Sequence, residues 1–407
     1  MILNILQRLL ALASLAVLAL GGWLVWTWFR REELSQAYDP GFEQDNTRLW
    51  LGLALIGWTL VGRFFWRLVL GRGGDASWAR DPEAEVAMVA GADGSQLRVE
   101  SQGPSEAPVL LFTHGWGLDS STWRDARREL SGRFRVVVWD LPGLGRSRRP
   151  ADGRYSVDRM ADDLGAVLRA TAGGRPVVLV GHSIGGMIVQ TFCARHPELL
   201  RRRVAGIALF NTTHLNPLKT MVFSGLLRAI QKPILEPAMK LDVWLQPLAW
   251  AINWQAYLSG HTHIAMRFGF GTQPSRALLD HVARLATVNP PAVQAKGNLA
   301  MMHWQVTDDL PRLDVPTLVF AGGRDLVTKE VAGRQIAGLV RGARLARPHD
   351  AGHLGPQELS GLYNAELAAF ADSVLMQPVS SDRAPRVPSR TTGSEPGRSD
   401  EAPRPAF

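Results

Sequence analysis

Two long apolar runs open the chain, and after them short apolar runs alternate with amphipathic stretches. The first, Leu9 to Phe29, carries no charge over about twenty residues, enough for a helix to cross roughly 30 Å of bilayer hydrocarbon. It ends in Trp23, Trp26, Trp28 and Phe29 ahead of Arg30 and Arg31, an aromatic belt and a charge pair with no small-x-small cleavage pattern behind them. This predicts a retained membrane anchor. The second run, Leu49 to Leu70, is free of charge only to Gly62, about fourteen residues or about 21 Å of helix, so a second span and an interfacial helix both fit. Arg63 and Arg67 fall on one helical face and are expected to snorkel to the headgroups. A two-helix hairpin is the expected arrangement for residues 1–72. It turns through the acidic stretch Glu32 to Asp45 and sets Trp28 and Trp50 at the same interface. Such a hairpin returns the chain to the side it started from. The arginine counts differ little between the two sides and favour the cytoplasmic face of a bacterial-type inner or plasma membrane.

Beyond a polar linker at 73–84, strands are expected at Glu85 to Ala90 and Gln96 to Ser101, paired about Ala92-Asp93-Gly94. Buried-strand runs follow at Val109 to Thr113, Val136 to Trp139, Pro176 to Val180, Gly206 to Phe210, Pro316 to Phe320 and Ala343 to Ala346. Asp119 to Leu130 and Ser156 to Ala172 carry helical periodicity between them. This exchange is that of an α/β fold, a mostly parallel central sheet flanked by helices. It fills 85–211 and resumes over 304–376. From 212 to 303 it stops, and mostly apolar helical stretches such as Met221 to Ile230 and Val243 to Tyr257 take its place. The Ser, Pro and Arg-rich tail at 377–407 is expected to be disordered.

Candidate chemistry centres on Gly181-His182-Ser183-Ile184-Gly185, between an apolar strand and a helical stretch. Glycines two before and two after the serine allow a tight turn without a Cβ clash, which thrusts the hydroxyl out over the sheet's end. Downstream, Asp325 ends a Gly-Gly-Arg-Asp turn after one strand, and His353 follows another in Asp350-Ala351-Gly352-His353. A serine hydroxyl is a weak nucleophile at neutral pH and needs a histidine to take its proton; a buried carboxylate holds that histidine's tautomer. Ser183, His353 and Asp325 are the candidates for these roles. Asp308, Asp309 and Asp314 stay open as alternative acids and His349 as an alternative base.

This order of serine, acid and histidine at strand ends resembles the α/β-hydrolase fold family over roughly Glu85 to Leu375. The resemblance implies an oxyanion hole from the backbone N–H groups of Trp116 and Ile184, and a helical cap over the active site at 212–303. Some family members carry the acid one strand earlier, where this chain has Asn211, an amide that cannot serve. His114 is expected to hold its loop by hydrogen bonds, and Trp116, with Trp123, to line the pocket. In the cap, Trp244, Leu245, Leu248, Trp250, Ile252 and Trp254 either form an apolar tunnel for an acyl chain or simply glue the cap to the sheet.

With 407 residues, 46% of them hydrophobic, the chain can bury one large α/β domain and an accessory one. The net charge of +8 comes from arginines spread along the chain with no helix-turn-helix, zinc finger or aromatic-basic RNA motif, so anionic lipid is expected as a partner and nucleic acid is not. Cys193 is the only cysteine and cannot form an internal disulfide. His261 and His263 lack the cysteine or acidic company of a metal site, and neither metal nor cofactor is called for. The expectation is a membrane-anchored serine hydrolase of carboxylic esters, lipid-like acyl esters in particular. Acyl transfer, cofactor-free perhydrolysis, or binding without catalysis would use the same site. Epoxide hydrolase and haloalkane dehalogenase chemistry needs an aspartate where Ser183 stands. Acyl length, alcohol and oligomeric state are not legible.

Overall fold

The computed structural model describes residues 2–38, 45–73 and 84–375. Most of the expected linker, the middle of the hairpin turn and the tail beyond 375 lie outside these residues. Two long helices, α1 (Ile2–Tyr38) and α2 (Thr47–Leu70), precede an eight-stranded sheet. Its strands are β1 (Glu85–Ala90), β2 (Gln96–Gln102), β3 (Val109–Thr113), β4 (Arg135–Trp139), β5 (Val177–His182), β6 (Val204–Phe210), β7 (Thr317–Phe320) and β8 (Arg344–Ala346). They lie in the order β1-β2-β4-β3-β5-β6-β7-β8. The β1–β2 and β2–β4 pairs are antiparallel, and every pair from β4 to β8 is parallel.

The central strands read as unbroken apolar runs because both of their faces are covered. In β3, Val109 and Leu111 face a core shared with α4 (Val157–Thr171) and α5 (Ile184–Arg195). Leu110 and Phe112 face the opposite core, closed by α3 (Arg124–Leu130) and, at the far end of the chain, by Tyr363, Leu367 and Phe370. The short α6 (Pro197–Arg203) leads into β6. Parallel strands aligned this way bring their carboxyl ends to one edge, where ligands of open α/β sheets bind.

Six helices then cover that edge: α7 (Ser224–Ile230), α8 (Glu236–Trp244), α9 (Gln246–Leu258), α10 (His261–Arg267), α11 (Arg276–Val288) and α12 (Pro291–Met302). The single stretch expected over Val243 to Tyr257 breaks at Leu245, because Pro247 can only start a helix there. Beyond β7 the chain adds α13 (Glu330–Leu339), α14 (Gly355–Glu358) and α15 (Ser360–Leu375).

Helices α1 and α2 pack antiparallel. Gly21 meets Gly52 so closely that a Cβ on Gly52 would lie 2.8 Å from the Gly21 carbonyl oxygen, and the Trp28 indole donates to Asn46 Oδ1 at 3.1 Å. Small residues that let two helix backbones touch are a common device of paired membrane helices. The pair is not a separate module. Ala11 and Ser14 are fully buried against the cap, Ser14 Oγ donating to Ser259 Oγ at 2.8 Å. Arg8 forms an ion pair with Asp242 at 3.0 Å and donates to Asn253 Oδ1.

Arg63 and Arg67, which can snorkel by length and placement, also meet partners on the cap. Arg67 reaches Asp280 on α11 at 3.9 Å, and the Arg63 guanidinium lies 5.2 Å from the centre of the Tyr257 ring. Both arginines turn toward the cap, which offers a carboxylate and an aromatic face close by.

Candidate active site

The turn after β5 is built by close backbone approach. A Cβ on Gly181 would lie 2.4 Å from the Gly185 carbonyl oxygen, and one on Gly185 only 2.2 Å from that of Thr113, so neither position admits a side chain. Ser183 between them takes φ 55° and ψ −119°, a strained conformation for a residue with a Cβ. Its N–H is held by Phe210 O at 3.0 Å and its carbonyl by the Thr212 hydroxyl at 2.6 Å. The surrounding bonds thus impose the strain and aim Oγ off the sheet.

Three residues separated by up to 170 positions meet at that hydroxyl. His353 Nε2 lies 2.9 Å from Ser183 Oγ, and His353 Nδ1 lies 3.0 Å from Asp325 Oδ2. Asp325 is buried, and four donors besides His353 surround it. Oδ1 accepts the N–H groups of Val327 at 2.7 Å and Thr328 at 2.8 Å, while Oδ2 accepts the Thr328 hydroxyl at 2.8 Å and Asn211 Nδ2 at 3.2 Å. Burial pushes the Asp325 carboxyl toward the neutral form, but the adjoining His353 and the Thr328 donors outweigh it and hold the group below the usual carboxylate range. An anionic, immobile carboxylate fixes the proton on His353 Nδ1 and leaves Nε2 free to take one from Ser183.

Ile184 is the first residue of α5, so its N–H has no acceptor within the helix, and Trp116 borders the same cavity as Ser183. The other open candidates sit elsewhere. His349 is exposed beside Asp350, and Asp309 pairs at 3.7 Å with Arg312 on the surface. His114 spans its loop, Nδ1 donating to Gly115 O at 2.8 Å and Nε2 accepting the Leu141 N–H at 3.0 Å. His261 bonds Ser259 and His263 bonds Asp280, so they do not converge. Among the described residues no cluster of metal-ligating side chains occurs. Cys193 is no rival nucleophile, since burial pushes its thiol up to about 12.

Two supporting residues escaped sequence reasoning. Asn211, set aside as an amide where an acid can stand, takes a left-handed φ of 46° and bonds Asp325, Gly352 O at 2.8 Å and the Tyr363 hydroxyl at 2.7 Å. A carboxamide can both donate to the acid and accept from tyrosine, which a second carboxylate could not do. His182 donates from Nε2 to the His353 carbonyl at 2.7 Å and so holds the base's backbone. Full burial, with His353 close by, lowers its pKa to about 3. Neutral when folded but protonated below about 6.5 when unfolded, it makes stability fall as pH drops from about 6.5 to about 3. The expected loss across that window is on the order of 4 kcal/mol, and His182→Gln, which keeps a donor but cannot ionise, should flatten the slope; unfolding midpoints at pH 7 and 4.5 measure it.

The cavity at Ser183 has a volume of about 60 Å³. Its apolar wall includes four methionines, Met187, Met221, Met266 and Met301, whose flexible thioethers adapt to varied shapes. The tryptophan tunnel is corrected here. Trp250 donates to Thr287 O at 3.0 Å and borders a separate cleft beside Arg148 and Arg149, while Trp254 is 40% exposed. Trp123 is buried between Phe112 and Phe210, leaving Trp116 as the cavity's tryptophan. Sequence proximity in the cap misled because its helices present those rings away from the sheet's edge.

The family model for the alpha/beta hydrolase fold matches residues 108–356. A bifunctional esterase/perhydrolase of Acinetobacter calcoaceticus is 30% identical over 293 residues, 69% of this chain and 98% of that protein. Among solved structures, an esterase from Exiguobacterium antarcticum superposes with TM-score 0.58 at 20% identity, covering 71% of this chain and all of the other. A bacterial membrane phospholipase A superposes with TM-score 0.56 at 23% identity over 77% of this chain and 89% of the other. The match runs from β3 through the loop that carries His353, and the aligned relative is covered almost end to end. The chain belongs to the alpha/beta hydrolase fold family.

Proposed function

We propose that this protein is a membrane-anchored serine hydrolase that cleaves carboxylic esters of apolar acids presented at a bilayer surface. The observation that carries it is the continuous hydrogen-bonded line from Asp325 through His353 to Ser183, which borders a largely apolar cavity. Ser183 Oγ attacks the ester carbonyl carbon while His353 Nε2 takes its proton. The oxyanion rests on the N–H groups of Ile184 and Trp116, His353 returns the proton to the departing alcohol, and water repeats the sequence on the acyl-enzyme.

The outer surface supports the membrane half of this reading. Leu20, Trp23, Trp26 and Phe29 on α1 and Trp50, Leu53 and Leu60 on α2 are exposed. On the cap, Phe223 is 75% and Trp244 78% exposed. Between 221 and 258 every exposed charged side chain is a cation, Arg228, Lys232 and Lys240, whereas Glu236 and Asp242 are half-buried. An apolar face edged only with cations suits the headgroup layer of an anionic leaflet.

At about 10–15 Å³ for each water-sized group, the cavity takes a short stretch of chain, on the order of four to six carbons. With about 0.8 kcal/mol for each buried methylene, kcat/KM for nitrophenyl esters should rise about fourfold per carbon to about six carbons and then level off. In fractionated cells the full-length protein should resist a high-salt wash and leave the membrane only with detergent. A flat chain-length profile sinks the apolar-acid reading, and full-length protein in the soluble fraction sinks the anchor.

The Acinetobacter relative's description as an esterase/perhydrolase favours a second reading, in which hydrogen peroxide replaces water at the acyl-enzyme and a peracid leaves. Product analysis with peroxide and water in competition separates the two.

A further inference from the structure

The first turn of α1 reaches the catalytic cavity. Leu3 and Asn4 border it together with Ser183 and His353. Leu3 also packs into both apolar clusters of the cap, and Gly269 leaves it room: a Cβ there would lie 3.1 Å from Leu3 Cδ1. Asn4 Nδ2 donates to Gln294 Oε1 at 3.1 Å, and the Gln294 main-chain carbonyl accepts the Trp116 indole at 3.0 Å. The helix that leads into the hairpin is therefore tied to the loop that carries Trp116. Arg8 and Ser14, one and three turns further along, lock α1 to α8, α9 and the turn after α9.

We infer that α1 is a wall of the substrate pocket and that Leu3 is a specificity-determining residue which ends the space for the acyl chain, held there by the Asn4–Gln294 bond. This rests on the hydrolase reading and deepens it. Leu3 borders a cavity of about 60 Å³, so a longer chain fits at that end only where its side chain is smaller or displaced. The same helix that holds the enzyme at the bilayer thus sets which acids it releases.

The test is a chain-length series of nitrophenyl esters on detergent-solubilised full-length protein, comparing Leu3→Ala and Leu3→Trp with Leu6→Ala. Leu6 packs α1 against the cap without bordering the cavity, and it controls for loosening of the helix. Leu3→Ala should move the point where efficiency levels off upward by about two or three carbons, a gain of at least tenfold on the longest esters at about fourfold per methylene. Leu3→Trp should move it down toward acetate, and Leu6→Ala should leave it in place. Profiles that stay at the parent's position in both Leu3 variants, with acetate cleaved at the parent rate, overturn the inference and leave the hydrolase reading standing. An equal shift in Leu6→Ala overturns it as well. A parent protein that cleaves no ester and takes no fluorophosphonate removes the hydrolase reading, and this inference with it.

Discussion

Ser183→Ala is expected to abolish fluorophosphonate labelling and to lower ester turnover on the order of a millionfold, the scale seen when a catalytic serine is removed from a triad that works as a unit. The reason is geometric as much as chemical. Ser183 Oγ is the hydroxyl that His353 Nε2 faces at 2.9 Å, and the only cysteine, Cys193, is buried with its thiol held protonated. The strained backbone supplies a second readout. At φ 55° the conformation costs roughly 1–3 kcal/mol for a residue with a Cβ, and glycine escapes most of that cost. Ser183→Gly should therefore be as inactive as Ser183→Ala but melt a few degrees higher than both it and the parent. Labelling that persists in either variant would displace Ser183 as nucleophile.

Asp325→Asn is expected to cost roughly ten-thousand-fold in kcat while leaving the fold and substrate KM almost unchanged. An asparagine at 325 keeps the size of the side chain, but its amide can turn an N–H toward His353 Nδ1, which then carries its proton on Nε2 and cannot accept from Ser183. The four other donors around the carboxylate make the loss worse, since a neutral side chain leaves some of them without an acceptor. His353→Ala should be at least as damaging, and His349→Ala, on the exposed side of its loop, should change kcat by less than about twofold. Steady-state kinetics on the three variants decides the assignment: a larger loss at His349 than at His353 means that the base has been misplaced.

The ends of the strands were legible because each is an apolar run stopped by glycine or a polar turn, a local property of the chain. Ser183, Asp325 and His353 could be named for the same reason: each sits just past such a run, and the nucleophile elbow needs glycine at fixed spacing. The apolar character of α1 and α2 also follows from composition alone, although α1 runs from Ile2 to Tyr38, well beyond the expected Leu9 to Phe29.

What lies around Ser183, His353 and Asp325 could not be read that way. Asn211 becomes a partner of Asp325 only because β6 and β7 lie side by side, a pairing between residues 114 positions apart. The pocket lining draws on residues scattered from 3 to 354, four methionines among them, and not on the cap's clustered tryptophans, because the angle at which each cap helix lies on the sheet decides which face turns inward. Least legible of all were Leu3 and Asn4, whose sequence surroundings say only that they precede an apolar helix. The sequence by itself determined the alternation of elements, the serine, aspartate and histidine that the fold brings together, and the two long apolar helices, since these depend on local spacing and residue chemistry. Only the tertiary structure decided that α1 borders the cavity and that Arg63 and Arg67 face the cap, because those contacts depend on how distant segments pack, which no local pattern encodes.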